Sequence, residues 1–516
     1  MTKNKKWLTG ATLLALSSLI VKVLSAVYRI PFQNLVGNDG FYIYQQVYPI
    51  YGLGMSLTLT GVPLYVSKCI VATSDEQRRP LIQSLYTILL GLSLLIFLGL
   101  YTFSHPLAQA MGDGQLTPVI QMVSLTFLLA PFLGIWRGVY QGAHYLQPTA
   151  YSQLLEQSLR VVVILVSAFF LMQWQESLYT IGTAAMSGSV IGGVAALILL
   201  WRMKKRYPIS LSHEDFRVRR VSLPVVKSFL YECTILSVSV SFMLVMQCCD
   251  SFFVTQRLAD DGMMLSLCRN MKGIYDRGQP MIQVGLVLMT VLVADFLPRL
   301  TKDYQRHHSR LFDYHKKMLI HTSLFFGIAT SLGLAFLMPY VNTMLFENNE
   351  GGRALSLLML SVFLMAILLV LQTISQSQNN LSLLWKSLVL GTIVKCVMSY
   401  WLIKPYHLEG AALSTLIALL VADGFYLYCE RHKLRGDGHF YFKAALVTLI
   451  YIVGLMMYNK LALPYLTGRG TAFVLGVGGV IVNGAIIVLA ARVLRLLTPK
   501  EWLSMPLGKY IVKVVK

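Results

Sequence analysis

The sequence predicts an all-α membrane protein that crosses the bilayer about fourteen times. Apolar residues make up 56% of the 516-residue chain and charged residues only 13%, whereas a soluble domain carries about 25% charged residues. Apolar runs of roughly twenty residues, the length that crosses a bilayer as a helix, recur along the whole chain. This composition excludes a soluble enzyme and a disordered protein.

The predicted spans follow one another with short connections. The basic N-terminus resembles a signal sequence, but its apolar run is long and lacks a small-residue cleavage site, so we predict an uncleaved first helix. The predicted helical cores lie at residues 8–28, 42–66, 82–103, 118–137, 152–172, 179–201, 229–253, 274–297, 319–343, 355–374, 384–403, 409–428, 442–462 and 471–491.

The basic residues predict the orientation of these spans. With the N-terminus in the cytosol, the cytosolic segments hold 32 of the 44 Lys and Arg residues and the outside segments hold seven. This asymmetry fits the positive-inside rule. We therefore predict a multi-pass membrane protein with both termini cytosolic. The net charge of +21 then reports orientation and not a nucleic-acid partner.

Weak internal repeats predict two lobes. The stretch from Tyr44 to Pro49 resembles that from Tyr275 to Pro280, and the stretch from Gly182 to Ser187 resembles that from Gly410 to Ser414. Two six-helix lobes related by an axis along the membrane normal would enclose a central cavity and suit alternating access. The predicted domains are an N-terminal lobe (1–203), a basic cytosolic linker (204–222), a C-terminal lobe (223–435), and two additional helices with a cytosolic tail (436–516).

Four basic residues inside spans predict an anion-binding cavity, because an ionisable group in a span is expensive unless it faces a cavity or a partner. Lys22 and Arg29 are seven residues apart, about two helical turns, so they share a face; snorkelling to the interface is the alternative for them. Arg277 can make bidentate contacts to phosphate. Lys395 has no carboxylate one turn away and is predicted to face the same cavity.

The acidic residues in spans have two interpretations. Glu156 and Arg160 are four residues apart, the spacing of an intrahelical ion pair. Glu156, Asp250 and Asp276 could also couple transport to Na⁺ or H⁺, or the two aspartates could form structural pairs with basic residues such as Arg277. The sequence leaves these alternatives open, and the membrane potential stays a third candidate for the driving force.

Several functions lack their sequence signals. The seven cysteines are odd in number and form no CxxC pair, so neither a disulfide framework nor a zinc site is predicted. No Walker motif indicates direct use of ATP. No loop is long enough for a catalytic domain, so we predict no catalytic residues, no metal site and no cofactor.

One block of residues resembles a known family. Arg137-Gly-Val-Tyr-Gln-Gly142, followed by Gln147-Pro-Thr-Ala-Tyr-Ser-Gln153 and Glu156-Gln-Ser-Leu-Arg160, is similar to a hallmark of bacterial polysaccharide-biosynthesis exporters. The closest likeness is to the stage V sporulation protein B group. That group is related to the MurJ lipid II flippases within the multidrug/oligosaccharidyl-lipid/polysaccharide exporter superfamily.

The resemblance implies a flippase for undecaprenyl-diphosphate-linked glycan precursors, either lipid II or a related oligosaccharide, in cell-wall or polysaccharide biosynthesis. In that family, basic residues of spans 1 and 8 bind the diphosphate, which here implies Lys22, Arg29 and Arg277. Asp39 matches an acidic residue that follows span 1. The implied partners are this lipid-linked substrate, membrane lipids and envelope biosynthesis enzymes, with a role in vegetative growth or in sporulation.

Three other classes of protein make different predictions about this sequence. A cation-coupled multidrug antiporter of the same superfamily predicts a cavity dominated by carboxylates. A membrane glycosyltransferase predicts paired acids in an outside loop, where Asp260 and Asp261 have no basic or metal-site company. A non-transporting scaffold for envelope assembly predicts that the cavity charges are only structural.

Overall fold

The computed structural model describes residues 2–430 and 438–503, and every regular element within those ranges is helical. The all-α prediction is therefore confirmed. The chain separates into two compact units, Met1–Asp276 and Arg277–Lys516.

The first unit consists of helices joined by short turns. Its 3₁₀ turns lie at Gly114–Leu116, Leu125–Leu129 and His213–Phe216, and a π-helical turn lies at Leu57–Gly61. The helices are α1 (Thr2–Val27), α2 (Arg29–Ser56), α3 (Val62–Ala72), α4 (Asp75–Thr102), α5 (Ser104–Ala110), α6 (Thr117–Ser124), α7 (Ala130–Gly142), α8 (Leu146–Gln173), α9 (Leu178–Met203), α10 (Leu223–Val240), α11 (Phe242–Ala259) and α12 (Leu265–Asp276).

The chain folds back on itself within α2. Tyr28 and Tyr44 are 16 residues apart, about 24 Å along a straight helix, yet their hydroxyls are 2.7 Å apart. The break lies at Gly37, whose φ of 70° is accessible to glycine at little cost. Residues before Gly37 therefore continue the first leg, and residues after it form the second.

Helices α3 and α7 pack through a row of small residues. Gly134, Gly138 and Gly142 are four residues apart and lie on one face of α7. A Cβ added at any of them would come within 2.9 Å of Val62, Val66 or Ile70. Glycine spacing of this kind lets helices approach closely in membrane proteins, where van der Waals packing drives association.

The connections of the first unit gather at two ends. At one end, Arg269 contacts Asp113 at 3.0 Å, and the Tyr179 hydroxyl donates to Asp113 at 2.7 Å. At the other end, Arg79 pairs with Glu214. Segments predicted to lie on the same side of the membrane thus meet at the same end of this unit.

The second unit has eight helices among the described residues. A 3₁₀ turn lies at Leu463–Tyr465. The helices are α13 (Gly278–Gln305), α14 (Ser309–Phe346), α15 (Gly352–Met359), α16 (Ser361–Ser377), α17 (Leu381–Cys429), α18 (Gly438–Ala462), α19 (Arg469–Val493) and α20 (Pro499–Leu503).

Helix α17 also folds back, at His407, whose φ is 47°. Lys395 and Thr415 lie 20 residues apart along the chain, but the Lys395 ammonium is 2.8 Å from the Thr415 hydroxyl. We call residues 381–406 the first leg of α17 and residues 408–429 its second leg.

The short α20 docks against α14. The Glu501 carboxylate lies 2.7 Å from His321 Nδ1, and the His321 ring stacks on Phe440 with centroids 3.6 Å apart. Burial alone would raise the pKa of Glu501, but hydrogen bonds from His321 and Thr498 outweigh it, and this pKa lies below its ordinary value.

The described residues contain eleven helical segments long and apolar enough to cross a membrane, or twelve if one bent pair is counted as a span. The predicted number of fourteen is not reached by this count. Even the count of twelve is two below the predicted number of spans. Leu16–Ala72 and Leu381–Cys429 are each counted as one segment, although each folds back on itself and was predicted as two spans.

The predicted linker at 204–222 lies inside the first unit. Helices α10, α11 and α12 pack against α2 and the π-helical turn, so the division between the units falls later, after Asp276. The boundary at 435/436 and the end of the tail lie outside the described residues. The predicted lobes therefore stay a prediction.

Candidate functional site

A wall of tyrosines lies in the core of the first unit. Tyr44, Tyr48 and Tyr51 follow one another at the i, i+4 and i+7 positions of α2, which places them on one helical face. Tyr28 joins them across the fold at Gly37 through its hydrogen bond to Tyr44. All four side chains are buried. The guanidinium groups of two arginines pack against this wall.

Arg160 of α8 is held by the tyrosine wall. Its Nη2 donates to the Tyr44 hydroxyl at 2.6 Å and to the Tyr28 hydroxyl at 3.2 Å. Its guanidinium carbon lies 3.9 Å from the centroid of the Tyr51 ring, a cation–π contact. Arg160 is therefore fixed by neutral hydroxyls and rings and not by a carboxylate.

Arg29 lies on the same wall but lacks comparable hydrogen bonds. Its side chain is completely buried, and its guanidinium carbon is 4.1 Å from the centroid of the Tyr48 ring. None of its three guanidinium nitrogens makes a hydrogen bond of good geometry among the described residues, although the Tyr28 hydroxyl lies near the guanidinium. An arginine offers five N–H donors, so this guanidinium has unused capacity for an acceptor.

The predicted Glu156–Arg160 ion pair is replaced by a different one. Glu156 accepts a hydrogen bond from Arg137 Nη2 at 2.5 Å, and both side chains are almost completely buried. The i, i+4 spacing was correctly read as helical. However, α7 brings Arg137 to the carboxylate while the tyrosine wall takes up Arg160, and spacing along one helix cannot reveal a neighbouring helix.

Asp276 has a partner on its own helix. Lys272 lies one turn earlier on α12 and donates to both carboxylate oxygens at 2.6 and 2.7 Å. Asp250 is also buried, and it lies close enough to repel Asp276, whereas Arg29 attracts Asp276. One predicted alternative was an ion pair between Asp276 and Arg277. That pair is not observed among the described residues, because Lys272 binds both carboxylate oxygens of Asp276.

The charges around Arg29 do not cancel. Three buried cations, Arg29, Arg160 and Lys272, stand against two buried carboxylates, Asp250 and Asp276, which leaves 3 − 2 = +1. An uncompensated buried charge is costly. The arrangement is therefore suited to receive an anion.

Lys22 and Asp39 lie outside this buried cluster. Lys22 is exposed, although it lies two turns before Arg29 as predicted. Asp39 is half-buried beside the fold at Gly37. Arg269 of α12 attracts its carboxylate, and Asn270 of α12 forms a hydrogen bond with it. The structure thus brings Arg29, Arg160, Asp250 and Asp276 into one region and leaves these two at its margins.

Arg277 belongs to the second unit and is well partnered there. Its Nη1 donates to Asn348 at 2.6 Å, Glu350 lies 3.7 Å from Nη2, and its guanidinium stacks on Phe346 at 4.8 Å. These contacts tie Arg277 to the connection between α14 and α15. A phosphate would have to share it with these partners.

Lys395 is buried between the two legs of α17. Its ammonium donates to Ser414 at 2.9 Å, to Thr415 at 2.8 Å and to the Ala411 carbonyl at 3.3 Å. These three acceptors lie on one turn of the second leg. The contacts give Lys395 a role in holding the fold at His407, which the sequence did not indicate.

Sequence reasoning missed three features of these units. The tyrosine wall was visible as Tyr44, Tyr48 and Tyr51 at helical spacing. Arg137 stood in the family-like block but was not treated as intramembrane. Asp423 is a lone carboxyl in the apolar run Leu-Val-Ala-Asp-Gly-Phe of span 12, and a search for charges in spans would have found it.

The helices define a polytopic membrane protein with a buried basic cluster. A family model described as "Polysaccharide biosynthesis protein" matches residues 7–302. A relative from Bacillus subtilis (strain 168), named uncharacterized membrane protein YabM, is 34% identical over 99% of this chain and 97% of its own length. The chain therefore belongs to the polysaccharide biosynthesis protein family.

Other relatives place it within the superfamily that the sequence resembles. The lipid II flippase MurJ of B. subtilis (strain 168) is 23% identical, with 83% of each chain covered. Stage V sporulation protein B of the same organism is 27% identical over 38% of this chain and 39% of its own length. The predicted resemblance to the MurJ and stage V sporulation protein B branch of the superfamily is confirmed.

Solved structures share the fold. The lipid II flippase MurJ in its inward closed conformation matches with a TM-score of 0.70 at 14% identity, over 94% of this chain and 99% of that one. A multidrug resistance MATE family transporter in its inward-facing conformation matches with a TM-score of 0.64 at 13% identity, over 80% and 94% of the two chains. With at least eleven apolar helical segments, the chain is a multi-pass plasma-membrane protein.

Proposed function

We propose that this protein is a flippase that carries an undecaprenyl-diphosphate-linked glycan precursor, lipid II or a related lipid-linked oligosaccharide, across the cytoplasmic membrane. It acts as a transporter and not as an enzyme. The family, and relatives named as a lipid II flippase and a sporulation protein, support this class of substrate.

The observation that carries the proposal is the state of Arg29. Its guanidinium is completely buried and makes no hydrogen bond of good geometry among the described residues. Hydrogen bonds between a guanidinium and a phosphate are stronger than neutral ones and can be bidentate. A diphosphate would satisfy these donors and offset the excess positive charge around them.

The charged side chains next to Arg29 have different electrostatic effects on this anion. Arg160 is held by Tyr28 and Tyr44, so it adds positive potential without having to rearrange. The Lys272–Asp276 pair is internally neutral and adds little net field. Neutralising the diphosphate lowers the cost of moving it out of water, which is the barrier that a flippase must reduce.

The sign of the buried charge favours this substrate over the alternative of a multidrug antiporter. A site for cationic drugs would present carboxylates or open aromatic faces. In the first unit the tyrosine faces of Tyr48 and Tyr51 are already covered by Arg29 and Arg160. A cationic ligand would be repelled by the same two arginines.

The test is outward exposure of lipid II in cells depleted of their known lipid II flippases. Wild-type protein should restore exposure, and Arg29→Gln should abolish it while reaching the membrane at the wild-type level. The matched control is Arg78→Gln, which removes a half-exposed arginine whose one ion pair among the described residues is with Asp75. This variant should restore exposure fully.

Two outcomes would change the proposal. No exposure from membrane-inserted wild-type protein excludes lipid II and leaves another polyprenyl-linked glycan to be tested in the same way. Equal exposure from wild type and Arg29→Gln keeps the function and rejects Arg29 as the diphosphate ligand.

We also propose that both termini lie in the cytosol. Arg79 and Glu214 meet at the end of the first unit that carries the basic segment 202–227, and such segments are retained in the cytosol. An alkaline phosphatase reporter fused after residue 212 should be inactive, and one fused after residue 261 should be active. The reverse pattern would invert the proposed orientation.

A further inference from the structure

Asp423 is a carboxyl buried in the second unit without a partner. It lies on the second leg of α17, and only 3% of its surface is exposed. Neither of its carboxylate oxygens has a hydrogen-bond partner among the described residues. None of the contacts described for the candidate diphosphate site involves it.

The helices packed against Asp423 carry no cation that faces it. Helix α16 has no acidic or basic residue, and the single charged residue of α15, Arg353, is exposed. Asp423 also takes part in none of the ion pairs observed among the described residues, so burial dominates the environment of its carboxyl. The remaining acidic and basic side chains of α17 are Lys386, Lys395, Lys404, His407 and Glu409, and Glu430 follows its last residue.

Two lysines on the first leg of α17, and the tyrosine one turn after Asp423, do not neutralise the Asp423 carboxylate. Lys395 is engaged by Ser414 and Thr415, two turns before Asp423 on the second leg. Lys386 is exposed. The Tyr426 hydroxyl, one turn after Asp423, is bonded to Ser375 of α16.

The Tyr426–Ser375 contact also shows what lies at the level of Asp423. The chain reverses between α16 and the first leg of α17 and again at His407, so α16 and the second leg run in the same direction. Three residues before Ser375 on α16 is Gln372, and three residues before Tyr426 is Asp423. Gln372 is buried, and its Nε2 has no hydrogen-bond partner among the described residues.

An ionised carboxylate in this place would be expensive. Transfer of an unpaired carboxylate to an apolar environment costs far more than transfer of the neutral acid, and proteins respond by neutralising the group. A proton is the neutralising species that fits, because a metal ion needs several oxygen ligands. The described residues contain no group of three or more acidic, histidine or cysteine side chains that could hold a metal.

We propose that Asp423 is a proton-binding site of the second unit. In the conformation described, bulk water supplies one proton that converts the carboxylate to a carboxylic acid. The proton returns to water when α16 and the second leg of α17 separate enough to hydrate the carboxylate. Gln372 lies at the same level on α16 but is not hydrogen-bonded to the carboxyl in the conformation described. Each cycle of this kind changes the charge of the unit by one.

Infrared spectroscopy of the purified full-length protein in nanodiscs tests the proposal at neutral pH. The carbonyl stretch of a protonated carboxylic acid should be present in wild type and should lose the contribution of one group in Asp423→Asn. The asparagine is nearly isosteric with the neutral acid and should fold; Asp423→Leu provides a second variant with the same expected loss. The control Asp260→Asn removes an exposed carboxylate paired with Arg257 and should leave the band unchanged.

Two results would overturn the proposal. One is a band of equal intensity in wild type and Asp423→Asn, which would mean that Asp423 is ionised. The other is a wild-type spectrum in which the contribution of Asp423 disappears on addition of Na⁺ at constant pH, which would assign the site to a metal cation. The measurement requires no transport, so either result leaves the proposed flippase function untouched.

Discussion

Breaking the buried pair between Arg137 and Glu156 should destabilise the first unit strongly and unequally. Arg137 is fully buried and 3% of the Glu156 side chain is exposed, with 2.5 Å between Nη2 and Oε2. Removing one member of a buried pair costs about 3–5 kcal/mol, because the other charge stays in a low-dielectric environment. Since about 1.4 kcal/mol is a factor of ten, the folding equilibrium should shift by on the order of a hundred-fold to a few thousand-fold.

The two single substitutions should differ. Glu156→Gln leaves the Arg137 guanidinium without a counter-charge, and arginine cannot release its proton to become neutral. Arg137→Met leaves Glu156, which can take up a proton and escape part of the cost. We therefore expect Glu156→Gln to be the more damaging change at neutral pH, and Arg137→Met to recover part of its loss as the pH falls.

A double-mutant cycle measures the coupling. The unfolding free energy of the purified protein is compared for wild type, the two single variants and Arg137→Met/Glu156→Gln. The double variant should be more stable than Glu156→Gln alone, because it leaves no buried charge at the site. If both single variants unfold within about 0.5 kcal/mol of wild type, the two side chains are solvated and the assignment of a buried pair is incorrect.

Three further perturbations have defined outcomes. Tyr44→Phe removes the hydroxyl that accepts from Arg160, and loss of a hydrogen bond to a charged group should cost about 1.5–3 kcal/mol of unfolding free energy. Gly273→Ala would place a Cβ 2.2 Å from the Asn38 carbonyl oxygen, and such overpacking should lower stability by about 1–3 kcal/mol. The pKa of Glu501 is lowered in the folded chain, so its docking contribution is present above the ordinary glutamate value of about 4.3 and is lost as the pH falls through the folded value. The protection of the segment 496–503 against hydrogen exchange, taken relative to the intrinsic exchange rate at each pH, should therefore fall in acid, and Glu501→Gln should show low protection already at neutral pH.

Each of the three has a control in the same chain. Tyr101 is exposed, and Tyr101→Phe should leave stability unchanged. Gly99 lies within α4 with open space around an added Cβ, so Gly99→Ala should hold or raise stability. Lys500→Gln next to Glu501 should leave exchange as in wild type. A loss at any control equal to that of its partner variant would point to general sensitivity of the protein and not to the named contact.

Much of the fold follows from the sequence because span length and hydropathy are local properties. The apolar runs were placed correctly as helices. The face shared by Tyr44, Tyr48 and Tyr51 could be read from their spacing but was not predicted. The break in α17 was predicted as the gap between the spans at 384–403 and 409–428. The positive φ at His407 was not predicted, since it depends on contacts such as those of Lys395 across the turn. The number of spans depends on how such folds are counted.

The candidate site was less predictable because its partners come from different helices. Arg29 could be identified as a buried cation from its place in a span. Its neighbours Tyr48 and Arg160 could be identified only once α2 and α8 were seen packed together. The same limit explains Glu156, whose charge was noticed but whose partner, Arg137, lies on another helix.

The π-helical turn at Leu57–Gly61 joins α2 to α3 in one continuous helix. It determines the angle about the helix axis between the face that carries the tyrosines and the face that packs against α7. Upstream, Tyr48 and Tyr51 face the arginines, and downstream, Val62, Val66 and Ile70 meet the glycine row of α7. The extra residue in this turn rotates everything after it by about 100° relative to an uninterrupted α-helix. Deleting a single residue there would restore a regular α-helix and leave the valine ridge facing the glycine row, because the π-helical turn accommodates that one extra residue locally. Regular α-helical geometry through all five residues would instead swing the valine ridge out of the glycine row while the tyrosines stayed in place, so the chain length between the two faces requires the π-helical turn.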